Sequence, residues 1–115
     1  MKSLFYFTLP ILCLFDVAKA HHGMDFYDTD MLIEIKGQIK EVRLSDPHSV
    51  LVVESQNSGV LWEVEGGAAS GIIAAGLTLE YLRSGPDVHV QGFQTKDKKC
   101  EPRCKMKGVK FDFDR

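Results

Sequence analysis

The sequence predicts a small, mainly β domain, and three observations carry this prediction. Stretches in which apolar and polar residues alternate indicate three strands up to residue 65 and two more after residue 87. An Ala- and Ile-rich stretch between the third and fourth strands indicates a short helix. The first strand is long, and part-way along it the apolar residues change from odd-numbered to even-numbered positions, as at a β-bulge. This layout is that of a five-stranded OB-like Greek-key barrel, and an α+β sandwich of similar content is the alternative.

The first three strands are predicted at residues 32–44, 50–54 and 60–65, separated by turns at 45–48 and 56–59. In the first strand the apolar residues share one face as far as Ile39, so an extra residue is expected near Lys40-Glu41. The second strand, VLVVE, is apolar on both faces, as in a strand covered on both sides. The third strand alternates, and its predicted core-facing residues are Val60, Trp62 and Val64. Glu63 and Glu65 then form a solvated exterior face.

The rest of the chain is predicted to contain a helix at 68–75, a helical turn at 79–82, and strands at 88–93 and 104–113. Gly76 stands where a residue of left-handed conformation commonly ends a helix. Thr78 is a favourable N-cap for the second helical turn. A tight turn is expected at Ser84-Gly85-Pro86-Asp87, and a second bulge near Gly108 in the last strand.

The first 20 residues have the three parts of a signal peptide. Lys2 is basic, residues 4–15 form an apolar run, and Ala18 and Ala20 supply the small residues before a cleavage site. The apolar run is too short to span a bilayer and no second one follows, so no membrane span is predicted. We therefore expect an exported, periplasmic or secreted protein. Cleavage after Ala20 would divide the chain into a signal peptide at 1–20, an N-terminal arm at 21–31 and the barrel domain at 32–115.

The charge and the motifs of the mature chain exclude several function classes. Without Lys2, Lys19 and Asp16 it keeps 12 basic and 15 acidic side chains, a net charge of −3. That balance predicts no binding to nucleic acid. The sequence has no nucleophile elbow, zinc-protease helix motif, phosphate-binding glycine loop or dinucleotide fingerprint. An enzyme is therefore not predicted, and one would require a copper site with an open coordination position.

Cleavage after Ala20 would make His21 the first residue, which gives it two metal-binding nitrogens, the α-amine and the imidazole. Such a pair chelates Cu(II), and the imidazoles of His22 and His48 would complete a tetragonal set of nitrogen ligands. The α-amine has an ordinary pKa of about 8, so proton competition at neutral pH is modest. The alternative is a polar terminus without a ligand.

His48 follows Pro47 in the turn after the first strand, where the rigid proline would hold the imidazole in place. The alternative is an ordinary turn histidine beside an Asx-turn at Asp46. His89 lies on the strand face opposite Val88 and Val90, which predicts a surface or half-buried position. It is therefore a weaker candidate ligand than His48.

Cys100 and Cys104 are the two cysteines that remain after cleavage, and they flank a hairpin tip. In an oxidising compartment such a pair predicts a disulfide. A pair of thiolates for a soft metal and a redox dithiol are the alternatives, although the redox motif usually has two residues between its cysteines and here there are three.

The signal peptide followed by His21-His22-Gly23 and Phe26-Tyr27-Asp28 resembles the start of a family of small exported bacterial proteins of unknown function. The likeness continues through Gly37, Ile39, Val42, Pro47-His48, Trp62, Gly76, Val88, Val90 and Gly92. It covers most of the mature chain, and it implies an OB-like barrel and export. The family usually has Asn-Pro-His where this chain has Asp46-Pro47-His48, and Pro-Gly-Asp where it has Gly85-Pro86-Asp87. The carboxylate of Asp46 would either bind the metal or orient His48 by a hydrogen bond.

Two classes of function follow from these observations. The first is a non-enzymatic periplasmic metal-binding protein that uses His21, His22 and His48, with copper as the favoured metal. The second is a metal-free domain whose barrel face around strands two and three binds a protein or small-molecule partner. Proximity of the imidazole of His21 or His22 to that of His48 would favour the first.

Overall fold

The longest strand, β1, pairs with two neighbours and thereby closes a five-stranded barrel. The computed structural model describes residues 22–114, and for His22 and Gly23 it describes the backbone only. The elements are a 3-10 helix at His22–Phe26, β1 at Ile33–Arg43, β2 at Val50–Ser55, β3 at Leu61–Glu65, α1 at Ala69–Ala74, α2 at Leu79–Arg83, β4 at Asp87–Gln94 and β5 at Cys104–Phe113. The predicted signal peptide lies outside the described residues.

The order of strands around the barrel is β1-β2-β3-β5-β4. Strand β1 is antiparallel to both β2 and β4, β4 is antiparallel to β5, and β3 runs parallel to β5. Helices α1 and α2 occupy the connection between β3 and β4. This topology confirms the predicted OB-like barrel and contradicts the sandwich alternative, because the sheet closes on itself.

Both predicted bulges are present. The pairing of β1 with β2 shifts between Ile39 and Glu41, so Lys40 is the extra residue. The pairing of β4 with β5 shifts where Gly92 lies opposite Gly108, and Val109 is the extra residue. A bulge increases the local bend and twist of a strand, which long strands of a small closed barrel require.

The core lies inside the barrel and under α2. Its buried members are Ile35, Ile39, Leu51, Val53, Val64, Leu77, Leu82, Val88, Val90 and Met106. The prediction for the second strand is confirmed, since three successive residues of β2 are buried. The prediction for Val60 is wrong: it precedes β3 and is exposed, while Trp62 is half-buried against the core.

The predicted helix ends are also observed. Gly76 has a φ of +87°, the left-handed conformation expected after α1. The side chain of Thr78 accepts a hydrogen bond from the Tyr81 amide at 3.0 Å and caps α2. These local interactions position α2 so that Leu82 is buried in the core.

Cys100 and Cys104 form the predicted disulfide, with their Sγ atoms 1.98 Å apart. Cys104 is the first residue of β5 and is buried, so the bond attaches the preceding loop to the barrel. Across residues 22–114, no helix has the length and apolar character needed to cross a membrane.

Candidate functional site

Tyr27, His48, Glu65 and Lys107 come together at one end of β3, and we refer to these four residues as the Glu65 cluster. Glu65 is the last residue of β3. Its neighbour across the β3–β5 pair is Lys107, and its neighbour across the β2–β3 pair is Val50. The second pairing brings the turn before β2, which carries His48, beside the carboxylate.

The turn that carries His48 is held by Ser49, which is fully buried. The Ser49 hydroxyl accepts a hydrogen bond from the Ser45 amide at 3.1 Å and donates to the Ser45 carbonyl at 3.2 Å. The Ser49 backbone bonds to the residues after β3, with its amide donating to the Gly67 carbonyl at 2.9 Å and its carbonyl accepting from the Gly66 amide at 2.8 Å. The turn is therefore fixed to the end of β3.

The N-terminal arm reaches the same place by pairing with the end of β4. Tyr27 forms an isolated antiparallel bridge with Thr95. The Asp28 amide donates to the Gln94 carbonyl at 2.8 Å, and an ion pair of 2.9 Å joins the Asp28 carboxylate to Lys98. The arm thus lies against the barrel, and Tyr27 faces the Glu65 carboxylate.

The two oxygens of Glu65 have different partners. Oε2 accepts a hydrogen bond of 2.5 Å from the hydroxyl of Tyr27. Oε1 lies 3.3 Å from Nδ1 of His48 and 3.4 Å from Nζ of Lys107. One carboxylate therefore links the arm, the turn before β2 and strand β5.

These contacts change the protonation of the cluster. Burial raises the pKa of Glu65, but the hydrogen bond from Tyr27 and the positive charge and hydrogen bond of Lys107 outweigh it, and the net pKa is below its ordinary value. Burial, followed by the hydrogen bond and the negative charge of Glu65, raises the pKa of the Tyr27 hydroxyl. At neutral pH the cluster therefore contains an ionised carboxylate and a neutral phenol.

His48 is suited to bind a ligand through its second nitrogen. Just over half of its side chain is exposed, at 55%. The contact of Nδ1 with a carboxylate favours the tautomer that carries its proton on Nδ1, which leaves a lone pair on Nε2. Metal-binding histidines commonly have such a carboxylate partner on the other ring nitrogen.

The sequence placed His48 at the candidate site but did not identify Glu65 as its partner. The alternation of β3 indicates that Glu65 lies on the outer face, where it is half-buried. Its contacts arise from the β2–β3 register and from the docked arm. A signal was available, because an antiparallel hairpin from residue 50 to residue 65 brings the two ends of the hairpin together.

His89 is a second histidine with a carboxylate partner, remote in the barrel from the arm. Its Nε2 lies 3.2 Å from Oε2 of Glu34, and Gln91 donates to the other oxygen of Glu34 at 2.6 Å. The hydrogen bond from Gln91 and then that from His89 lower the pKa of Glu34. His89 is half-buried, as predicted.

The predicted metal ligands are only partly described. His21 and the side chain of His22 lie outside the described residues, so their distances to His48 stay untested predictions. Within the described part of the chain, no three His, Cys, Asp or Glu side chains form a group that could hold a metal ion. His48 and Glu65 are together there, with Nδ1 of His48 3.3 Å from Oε1 of Glu65, and the predicted role of Asp46 stays a prediction.

Comparison with known proteins identifies the family. No curated protein matches the chain. A family model described as a family of unknown function (DUF6152) matches residues 10–102, which include the arm, the turn of His48 and the barrel as far as the loop before β5. The chain therefore belongs to this family of unknown function, DUF6152.

Proposed function

We propose that this protein is an exported metal-binding module that binds Cu(II) through His21, His22 and His48. The observation that carries the proposal is the link from Tyr27 through Glu65 to His48. It connects the arm that begins with the two histidines to the turn that holds the third.

The length of the arm is compatible with a shared ion. The 3-10 helix begins at His22 and ends at Phe26, directly before the docked Tyr27. Because a 3-10 helix rises about 2 Å per residue, the backbone of His22 is within roughly 10 Å of that of Tyr27. The imidazoles of His21 and His22 therefore do not need a long free segment to approach His48.

The chemistry of the ligands favours Cu(II). An N-terminal histidine supplies an amine and an imidazole to one ion, and a set of nitrogen ligands suits tetragonal Cu(II). Glu65 acts on His48 without binding the metal itself, because its carboxylate lies 3.3 Å from Nδ1 and increases the basicity of Nε2. The ionised state of Glu65 at neutral pH supports this role.

Export is the second part of the proposal. It rests on the predicted signal peptide and is supported by the disulfide between Cys100 and Cys104, since disulfides persist in oxidising compartments. Cleavage after Ala20 is essential to the metal site, because only cleavage frees the α-amine of His21. Mass spectrometry of protein purified after export should give a chain that starts at His21.

The test is a calorimetric titration of the processed protein with Cu(II). Insertion of one glycine before His21 removes the amine from the chelate, and His48→Ala removes the third imidazole. We expect each change to weaken binding by at least about tenfold. His89→Ala is the matched control, because it also removes a histidine that contacts a carboxylate, and it should leave the affinity unchanged.

The outcomes separate the parts of the proposal. Equal affinity with and without the added glycine would exclude the N-terminal chelate. An unchanged affinity in His48→Ala would exclude His48 as a ligand. If the processed protein binds no Cu(II), the metal-free alternative, a domain that binds a protein or small-molecule partner, replaces the proposal.

A further inference from the structure

A cavity of about 460 Å³ lies between α1 and one end of the barrel. Its floor is formed by core residues of β2, the α1–α2 link and α2, and one wall is formed by the end of β5. The opposite wall is α1 and the glycine-rich segment that precedes it. Cavities of about 300–1,000 Å³ with mostly apolar walls are typical of sites for small molecules.

The side chains that line the cavity are mostly apolar. The large apolar residues that line it are Leu51, Ile72, Leu77, Leu82, Phe111 and Phe113. The rings of Phe111 and Phe113 are nearly parallel, with 8° between their planes and 6.3 Å between their centroids. The side chain of Asp112, between the two phenylalanines on β5, is exposed and lies 4.0 Å from Nζ of Lys110, and no Lys, Arg or His is among the lining residues that the structure describes.

Helix α1 presents one face to this cavity. Ala68, Gly71, Ile72 and Ala75 line it, at a spacing that places them on a single side of a helix. No residue of α1 is fully buried, so the helix covers the end of the barrel without filling the space beneath it. Gly71 is exposed, and a Cβ atom built on it meets no other atom within 4 Å, so a side chain at this lining position has room.

We propose that this cavity binds a neutral, apolar small molecule. The volume and the aromatic wall favour a compact ligand. The charge of the lining decides the class: an anionic ligand such as a fatty acid would find no cation among the described residues that line the cavity. The inference is independent of the copper proposal, because none of its lining residues belongs to the Glu65 cluster.

The test uses the neutral fluorescent probe N-phenyl-1-naphthylamine with protein purified after export. We expect enhanced fluorescence that decan-1-ol reverses and that decanoate reverses much less effectively. Gly71→Leu places a side chain in the cavity, and we expect it to weaken probe binding by at least about tenfold. Its matched control is Ser70→Leu, which adds the same side chain to α1 at a position that does not line the cavity.

Each remaining outcome overturns the proposal. Equal weakening by Gly71→Leu and Ser70→Leu, or no weakening by either, would place the probe elsewhere. Equal displacement by decanol and decanoate would contradict a neutral ligand. If gel filtration shows a dimer that Gly71→Leu dissociates, then a second copy of the chain covers the cavity instead. Circular dichroism of both variants checks that they fold, which we expect because leucine favours a helix more than glycine or serine does.

Discussion

The hydroxyl of Tyr27 donates a 2.5 Å hydrogen bond to Glu65, a residue 38 positions further along the chain. Tyr27 precedes the first strand of the barrel, and Glu65 ends the third. The same carboxylate contacts Nδ1 of His48. The N-terminal arm is therefore attached to the barrel at the carboxylate that also contacts the candidate ligand His48.

Loss of the Tyr27 hydroxyl should release the arm. We expect Tyr27→Phe to lower the free energy of unfolding by about 1–2 kcal/mol, the range for a hydrogen bond to a charged group that is partly solvated. Hydrogen exchange of the Asp28 and Lys96 amides, which pair the arm with the end of β4, should become faster. Urea unfolding and hydrogen exchange provide these two measurements.

Tyr81→Phe is the matched control for this change. The Tyr81 hydroxyl donates to the backbone carbonyl of Asp114, at the other end of the chain. This variant should leave exchange in the arm as it is in the parent protein. Equal acceleration of arm exchange in both variants would contradict a specific role for the Tyr27–Glu65 bond.

The raised pKa of Tyr27 predicts a loss of stability in alkali. The folded protein holds the phenolic proton more tightly than the unfolded chain does, so this contribution is complete below the ordinary tyrosine pKa of 10.0. It is lost as the pH rises above that value towards the folded-state pKa. We therefore expect the difference in unfolding free energy between the parent and Tyr27→Phe to shrink above pH 10, as measured by urea unfolding at several pH values. A difference that stays constant or grows with pH would be inconsistent with the raised pKa.

Gly37 should not tolerate a side chain, because β1 passes close to β2 at this point. A Cβ atom on Gly37 would lie 2.0 Å from the carbonyl oxygen of Glu54. We expect Gly37→Ala to destabilise the barrel by about 2–3 kcal/mol, since the backbone must shift to accommodate the methyl group. In Gly67→Ala, the control, the Cβ atom meets nothing within 4 Å, and thermal unfolding should show little change. Similar melting temperatures for the two variants would contradict the close approach.

The disulfide should stabilise the barrel without being needed for its fold. The Cys100–Cys104 bond closes a very short loop. In the chain-entropy model such a loop contributes about 2 kcal/mol. We expect Cys100→Ala with Cys104→Ala to lower the free energy of unfolding by roughly that amount and to preserve the β-sheet circular dichroism spectrum. The parent protein under reducing conditions should behave in the same way, and complete loss of the spectrum in either case would show that the bond is required for folding.

Local patterns in the sequence were sufficient to predict much of the fold. The change of the apolar residues from odd-numbered to even-numbered positions after Ile39 predicted the bulge at Lys40. Gly76 predicted the end of α1, and Thr78 predicted the start of α2. These features depend on residues that are neighbours in the chain. The exposure of Val60 shows the limit of such patterns, because alternation does not identify the residue at which a strand begins.

The candidate site was predicted less completely. The Pro47-His48 turn was identified because its residue types are local signals, whereas the roles of Tyr27, Glu65 and Lys107 were not. Those three residues belong to separate segments, and the register of β3 with β2 and β5 brings two of them together. The arm adds the third by pairing with the end of β4.

The sequence by itself determined the order of the strands and helices, both bulges, the helix caps and the pairing of Cys100 with Cys104. Each of these follows from local backbone preferences or from short loops. The tertiary structure alone decided that Glu65 would join Tyr27 to His48 and that a cavity would remain under α1. The physical reason is that closure of the barrel and docking of the arm set distances between residues far apart in the chain, and no local pattern encodes those distances.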